Sequence, residues 1–374
     1  MTNIRTNSNA ILGILVALAL AALVAVEYEK IWVKRSWYDE KLAAARLAKK
    51  AADYIKEYRF QRGIFTDIVN DPNETALIGQ EHSLVTTGKG DIDAKLSTTN
   101  PNYAAVVVEL LKQAGVSEND NVAVSLTGSF PGLNIAVYAA LDVLRLNGHV
   151  ITSAGSSSWG ATDPYFTWLD IERLLNEAKI FRIRSFAASI GGGADRGVGL
   201  SPEGRSLIAE AIKRNGVEFI NEDHLEQSIE RRLELYDRQR ADKPIAAFIN
   251  IGGGIASLGS TLNDELIPQG LTMVLPMKNY PMRGVIIRLA QRGVPIIHLS
   301  NPQQLERDFG LPSNPIPLPE PGSGEIFQRE QYNTKLTLIA TAVLVAAVTL
   351  AIYLEKRRHR LGTDVIAAGN GDEL

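Results

Sequence analysis

Cysteine is absent from the 374 residues. That excludes disulfide staples, thiolate zinc sites, iron–sulfur clusters and a cysteine nucleophile. It leaves the compartment open, because a chain without thiols tolerates either redox state. Histidine is scarce, at His82, His149, His224, His298 and His359, and no pair has the i, i+4 spacing of a helical metal site. No metal and no cofactor is expected. Excess positive charge is also missing: 39 Lys and Arg stand against 42 Asp and Glu, for a net charge of -3. A globally basic nucleic-acid binder is excluded, and nucleic acid is not an expected partner. With 45% hydrophobic and 22% charged residues, the chain is not mostly disordered. No G-x-x-x-x-G-K-[ST] string occurs, no G-x-G-x-x-G follows a strand with an acid downstream, and H-E-x-x-H and G-x-S-x-G are absent. These absences argue against a P-loop ATPase, a dinucleotide site, a zincin and an α/β-hydrolase elbow.

Charge is missing altogether from two stretches. The 21 residues between Arg5 and Glu27 and the 19 from Leu336 to Leu354 carry none. A bilayer core needs roughly 20 helical residues, so both can span. The first is long for a cleaved signal and is followed by charge rather than by small residues, which favours an uncleaved anchor. The expected spans are 10–26 and 335–354, with tails at 1–9 and 355–374. The cluster Lys356, Arg357, Arg358 and Arg360 directly after the second span places the C-terminus in the cytoplasm and the middle outside. Against this stand Lys30, Lys34, Arg35, Lys41, Arg46, Lys49 and Lys50, which follow the first span. The expectation is a two-pass protein of the cell membrane with an extracytoplasmic middle.

Residues 37–60 are rich in helix formers and carry a thin apolar stripe at Leu42, Ala45, Leu47 and Ile55, which predicts a helical stalk over 27–62. Over 63–310, short apolar runs alternate with helical patterns. Strands are expected at Val122–Leu126, His149–Ser153, Ile183–Ala188, Val217–Ile220, Ile245–Ile251 and Val294–Leu299, with helices between them. This predicts an α/β domain with a doubly wound, mostly parallel, Rossmann-like sheet flanked by helices. Proline at 312, 315, 317, 319 and 321 predicts an extended linker over 311–334.

In an open parallel sheet, ligands bind beyond the carboxyl ends of the strands. Four small-residue loops fall there: Thr127 to Gly132, Ser153 to Gly160, Ser189 to Asp195, and Asn250 to Gly254. Glycine lets backbone N–H groups approach a ligand, and a helix N-terminus adds partial positive charge, so the pattern suits an anion. The expected ligand-binding set is Ser129, Asn134, Ser156, Ser157, Ser158, Trp159, Gly192, Asp195, Asn250, Gly253 and Lys95. Ser129 at a strand-to-helix turn, His298 on the same edge and an acid from Asp195 or Asp170 are the material of a Ser-His-Asp set. Against that stands the simpler assignment of Ser129 as a helix cap and His298 as a satisfied buried residue. Trp159, Phe166 and Trp168 are expected to pack.

Several strings together resemble the poly-gamma-glutamate system protein family. They are Ile78-Gly79-Gln80-Glu81-His82-Ser83 with Thr86-Thr87, and Ala94-Lys95 followed by Ser97-Thr98-Thr99-Asn100-Pro101. Further along come Gly128-Ser129-Phe130-Pro131-Gly132-Leu133-Asn134-Ile135-Ala136, Gly155 to Ala161, and Phe166 to Asp170. Ser189-Ile190-Gly191-Gly192 and Asn250-Ile251-Gly252-Gly253-Gly254 complete the set. The match spans about residues 78–300. The resemblance implies a component of the membrane machinery that makes and exports poly-γ-glutamate, a polyanion with one free carboxylate per residue. It carries over no catalytic residue. Its implied partners are the polymer and the synthase or export subunits in the membrane. Lys95, Arg283 and Arg288 are candidate counter-charges. Two readings follow: an accessory that binds polymer or partner subunits, and a tethered hydrolase or transferase acting on γ-glutamyl bonds through Ser129 and His298.

Overall fold

The computed structural model describes residues 2–240 and 242–369, with side chains over 9–240 and 242–357. The chain forms two compact units, one from residues 1–34 and 328–374 and one from Arg35–Phe327.

In the first unit, helix Thr2–Tyr28 leads into strand Ile31–Lys34, and strand Gln328–Gln331 leads into helix Thr334–Gly369. The strands pair antiparallel, with Ile31 opposite Gln331 and Lys34 opposite Gln328. The stretches Asn9–Tyr28 and Thr334–Arg357 are long and apolar enough to cross a membrane. Large apolar side chains such as Leu12, Leu23, Leu338 and Val345 stand exposed along them. A helix apolar all round needs an apolar surrounding. The expected tails at 1–9 and from 355 are helical as far as they are described; residues 370–374 lie outside. Extending a helix that has already nucleated adds one hydrogen bond per residue without a second nucleation step.

The second unit is built on a seven-stranded sheet. Across it run Glu218–Ile220, Ser185–Ser189, Asn147–Ser153, Asn121–Thr127, Ile245–Ile251, Ile296–Leu299 and Gly270–Thr272. All neighbours are parallel except the last pair. The earliest strand lies in the middle. The chain winds outward on one side of it, then returns to build the other. The switch falls between Asn121–Thr127 and Ile245–Ile251, which is where such sheets open a crevice. Successive residues serve opposite faces. Val122, Val124 and Leu126 join one core with helices Tyr103–Gln113 and Pro131–Val143. Ala123 joins another with helices Leu225–Gln239 and Val285–Gln291. Burial on both faces explains why this strand reads as a continuous apolar run.

Two expectations need correction. The expected stalk is helix Tyr38–Phe60, and it is part of the α/β unit. Its buried face is Lys41, Ala44, Ala45, Ala48, Ala51 and Ile55, at helical spacing, packed on helices Tyr103–Gln113 and Pro131–Val143. The expected linker is likewise no free spacer. Asn73 Nδ2 donates to Pro315 O at 2.8 Å, Asn314 N to Ser97 Oγ at 3.1 Å and Asn102 Nδ2 to Glu320 O at 3.1 Å. Within it Ile326 and Phe327 are fully buried, and Gln328–Gln331 is a strand. Extended proline-rich backbone cannot pair its missing N–H groups in a sheet, so side-chain amides of the domain bind its carbonyls instead.

Candidate functional site

The ends of four adjacent strands lie level. Thr127 is in register with Ser153, Ser153 with Ser189, and Ser125 with Asn250. The four small-residue loops therefore emerge side by side, as the sequence predicts. Between strands Thr86–Gly88 and Ser156–Ser157 a short parallel pairing, not foreseen, lays another loop over them. The approach is close: a Cβ on Gly90 would stand 2.3 Å from Ser158 O, and one on Gly160 2.3 Å from Ser156 Oγ.

Lys95 lies at the centre of this arrangement. Asp91 caps its helix, Ile92–Ser97, by accepting from Asp93 N. Its side chain runs inward and the residue is only 2% exposed. Nζ donates to Ser129 O and, at 2.8 Å, to Ser157 Oγ, and it sits 3.9 Å from the centroid of the Phe130 ring. Burial pushes the ammonium down to about 7, and the charge of Asp91 offsets part of that. Lys95 is therefore no surface counter-charge. Arg288 is not free either: it pairs with Glu226 and lies 3.7 Å from Glu230.

The serines of this loop differ in role. Ser156 Oγ donates to Gly128 O at 3.1 Å and Ser158 Oγ to Gly88 O at 3.4 Å, so both hydroxyls are buried ties. Ser157 is half-buried, and among the described residues its hydroxyl has Lys95 as its one partner. Ser157 N donates to Ser129 Oγ at 3.0 Å. Asn134 is buried and its Nδ2 donates to Thr127 O at 2.9 Å, which fastens the helix start to the strand end. Gly192 has φ +67 and faces Thr87, while Gly253 is exposed with open space at its Cβ position.

The expected Ser129–His298–Asp195 set is not assembled. His298 is fully buried. Asn250 Nδ2 donates to Gly252 O at 2.8 Å and faces His298 Nδ1 at 3.0 Å. An amide donor at Nδ1 leaves the ring proton on Nε2, which faces Asp264 Oδ1 at 3.0 Å. Ser300 Oγ stands 3.2 Å from the same nitrogen, so both ring nitrogens already have partners and neither partner is Ser129. Asp195 is occupied elsewhere. It accepts from Ser189 Oγ at 2.7 Å and Ser228 Oγ at 2.6 Å, and it pairs with the buried Arg232. Asp170 closes the capping box with Thr167 and binds Arg214 and Asn215. Burial alone would raise its carboxyl, but those hydrogen bonds outweigh it and hold it below the usual range.

Trp159 has a third kind of placement. With φ 68 it lies in left-handed backbone, and it lines a cleft of about 690 Å³ with Arg59, Phe65, Gln80, Asp163 and Phe166. Trp168 packs edge-on to Tyr138 at 5.6 Å, and Phe166 stacks on Tyr58 at 5.6 Å. Sequence reasoning missed Arg232, Asp264 and Ser300. Arg232 joins Asp195, whereas Asp264 and Ser300 join His298, and the members of each group lie far apart in the sequence. Among the described residues no group of three or more His, Cys, Asp or Glu is placed to hold a metal ion.

The class these features define is a doubly wound α/β unit with one apolar helix before it and one after it in the chain. No protein-family model matches the chain, and none of the curated proteins compared matches it.

Proposed function

We propose that this chain is a membrane-anchored accessory of poly-γ-glutamate synthesis or export. Its α/β unit binds the polymer, or the subunits that carry it, at the carboxyl edge of the sheet. The observation that supports this reading is the level alignment of four Gly- and Ser-rich loops over the switch point, with Gly253 open to solvent. Backbone N–H groups and hydroxyls there suit the free carboxylates of such a polymer. The family resemblance supplies the pathway, and the two apolar helices fit a membrane site. In this reading both helices cross the cell membrane and the α/β unit lies outside. Lys41, counted from sequence among the opposing charges, is buried against Glu109 and adds nothing to a membrane flank.

Binding is tested on the full chain in detergent with γ-linked glutamate oligomers. Titration of the wild type releases heat. Gly253→Asp, which meets no neighbour but adds a negative charge, abolishes it. No heat from the wild type overturns polymer binding. The side is tested by single cysteines in place of Ser323 and Thr363, probed on intact cells with an impermeant thiol reagent. Labelling at 323 alone places the unit outside; labelling at 363 alone places it in the cytoplasm.

A further inference from the structure

Polymer binding leaves one buried group without a task. Lys95 has no ion pair among the described residues, so the charge of Asp91 and two neutral acceptors offset only part of the desolvation penalty of its charged form. A purely structural tie between the loops would be better served by a neutral donor. The amine instead meets a hydroxyl at 2.8 Å, and of three consecutive serines it meets the one that is not sealed. The helix Pro131–Val143 opens two residues beyond Ser129, with the orphan N–H groups of its first turn at this edge.

We propose that Ser157 and Lys95 form a nucleophile–base pair for acyl transfer, with carboxylic amides as the substrate class. Ser157 Oγ attacks the amide carbonyl carbon as its proton passes to Lys95 Nζ, forming a C–O bond. The C–N bond then breaks, and the nitrogen leaves as an amine carrying the proton from Lys95. Water or a second amine then attacks the carbonyl carbon of the serine ester, the bond from Ser157 Oγ to that carbon breaks, and the attacker's proton passes through Lys95 to Ser157 Oγ. Burial supplies the free amine this needs at neutral pH, because it brings Lys95 down to about 7. In that form Nζ still donates to Ser129 O, while its lone pair accepts the Ser157 hydroxyl proton. The step rests on the proposed reading of this edge as the functional one, but it does not require poly-γ-glutamate as the amide.

The test is covalent labelling of the full chain in detergent with an alkyl fluorophosphonate, located by peptide mass mapping. The expected result is one adduct on Ser157, formed at a rate that rises through about pH 7 and then levels. Ser157→Ala loses the adduct with its melting temperature unchanged. Ser206→Ala, exposed on helix Pro202–Arg214, keeps it. Lys95→Arg, which keeps charge and donors but cannot act as base, slows labelling by about 100-fold. No adduct anywhere between about pH 6 and about pH 9, or an adduct that survives Ser157→Ala, overturns the pair. Heats with glutamate oligomers on the same preparations separate the two proposals. Labelling without heat retains the pair and removes the polymer; heat without labelling does the reverse.

Discussion

Arg232 donates to Asp195 at 3.0 Å, and the two side chains are 0% and 1% exposed. Ser153, Ser189 and Ser228 complete the group, so it ties two strand ends to helix Leu225–Gln239. Removing one member of a buried pair strands the other. Asp195→Ala is expected to cost about 3–5 kcal/mol, read from the urea midpoint. Replacing both, as Asp195→Ala with Arg232→Met, recovers most of that loss. A single variant as stable as wild type sinks this assignment.

Glu172 gives the unit a pH dependence. Burial pushes its carboxyl up to about 7, against hydrogen bonds from Tyr138 Oη at 2.7 Å and from Ser185 Oγ at 2.9 Å. A glutamate in the unfolded chain titrates at about 4.3. Between those values the folded state holds a proton that the unfolded state has released, so stability falls as pH rises through this window and is level above it. Glu172→Gln removes that slope. Its melting curves at about pH 5 and about pH 6.5 then converge, below the range in which Lys95 releases most of its proton; a slope as steep as that of the wild type contradicts the assignment.

Two glycines of the loop edge should behave oppositely. A Cβ at Gly160 would stand 2.7 Å from Ser129 O and 2.8 Å from Gly128 O, both backbone atoms that cannot swing away. Gly160→Ala is expected to cost about 1–3 kcal/mol, as other overpacked sites do. Gly253→Ala meets nothing within 4 Å and should stay within about 0.5 kcal/mol of wild type. Equal denaturant midpoints for the two variants contradict the interlocked loops.

The packed role of helix Tyr38–Phe60 predicts where the chain can be cut. A fragment of residues 35–327 is expected to be soluble and to unfold in one cooperative transition. A fragment beginning at residue 63 bares the faces of helices Tyr103–Gln113 and Pro131–Val143 and should aggregate. Cooperative folding of the shorter fragment restores the stalk.

The sheet was legible because its strands are short apolar runs spaced by helices; Ile245–Ile251 has the same bounds in sequence and structure. The packing of helix Tyr38–Phe60 is hard to see in the sequence because its buried face is mostly alanine. Four small side chains, Ala44, Ala45, Ala48 and Ala51, weigh little on a hydropathy scale, yet they let helices approach closely. The edge strand Gly270–Thr272 is only three residues long and carries no pattern. At the site, the loops and Lys95 could be named from sequence, but not their pairing. Which of Ser156, Ser157 and Ser158 meets Lys95 depends on how a two-residue strand alternates its side chains, and that follows from its partner at Thr86–Gly88.

The α/β unit also closes on itself. Arg35 N donates to Phe327 O at 2.8 Å, and Lys41 Nζ donates to Ile326 O at 3.0 Å. Its first and last residues are thus hydrogen-bonded neighbours, and the fold is a ring in all but covalent terms. Where such a ring begins is arbitrary: joined at these ends and opened at an exposed loop instead, the same sheet can assemble around the same central strand.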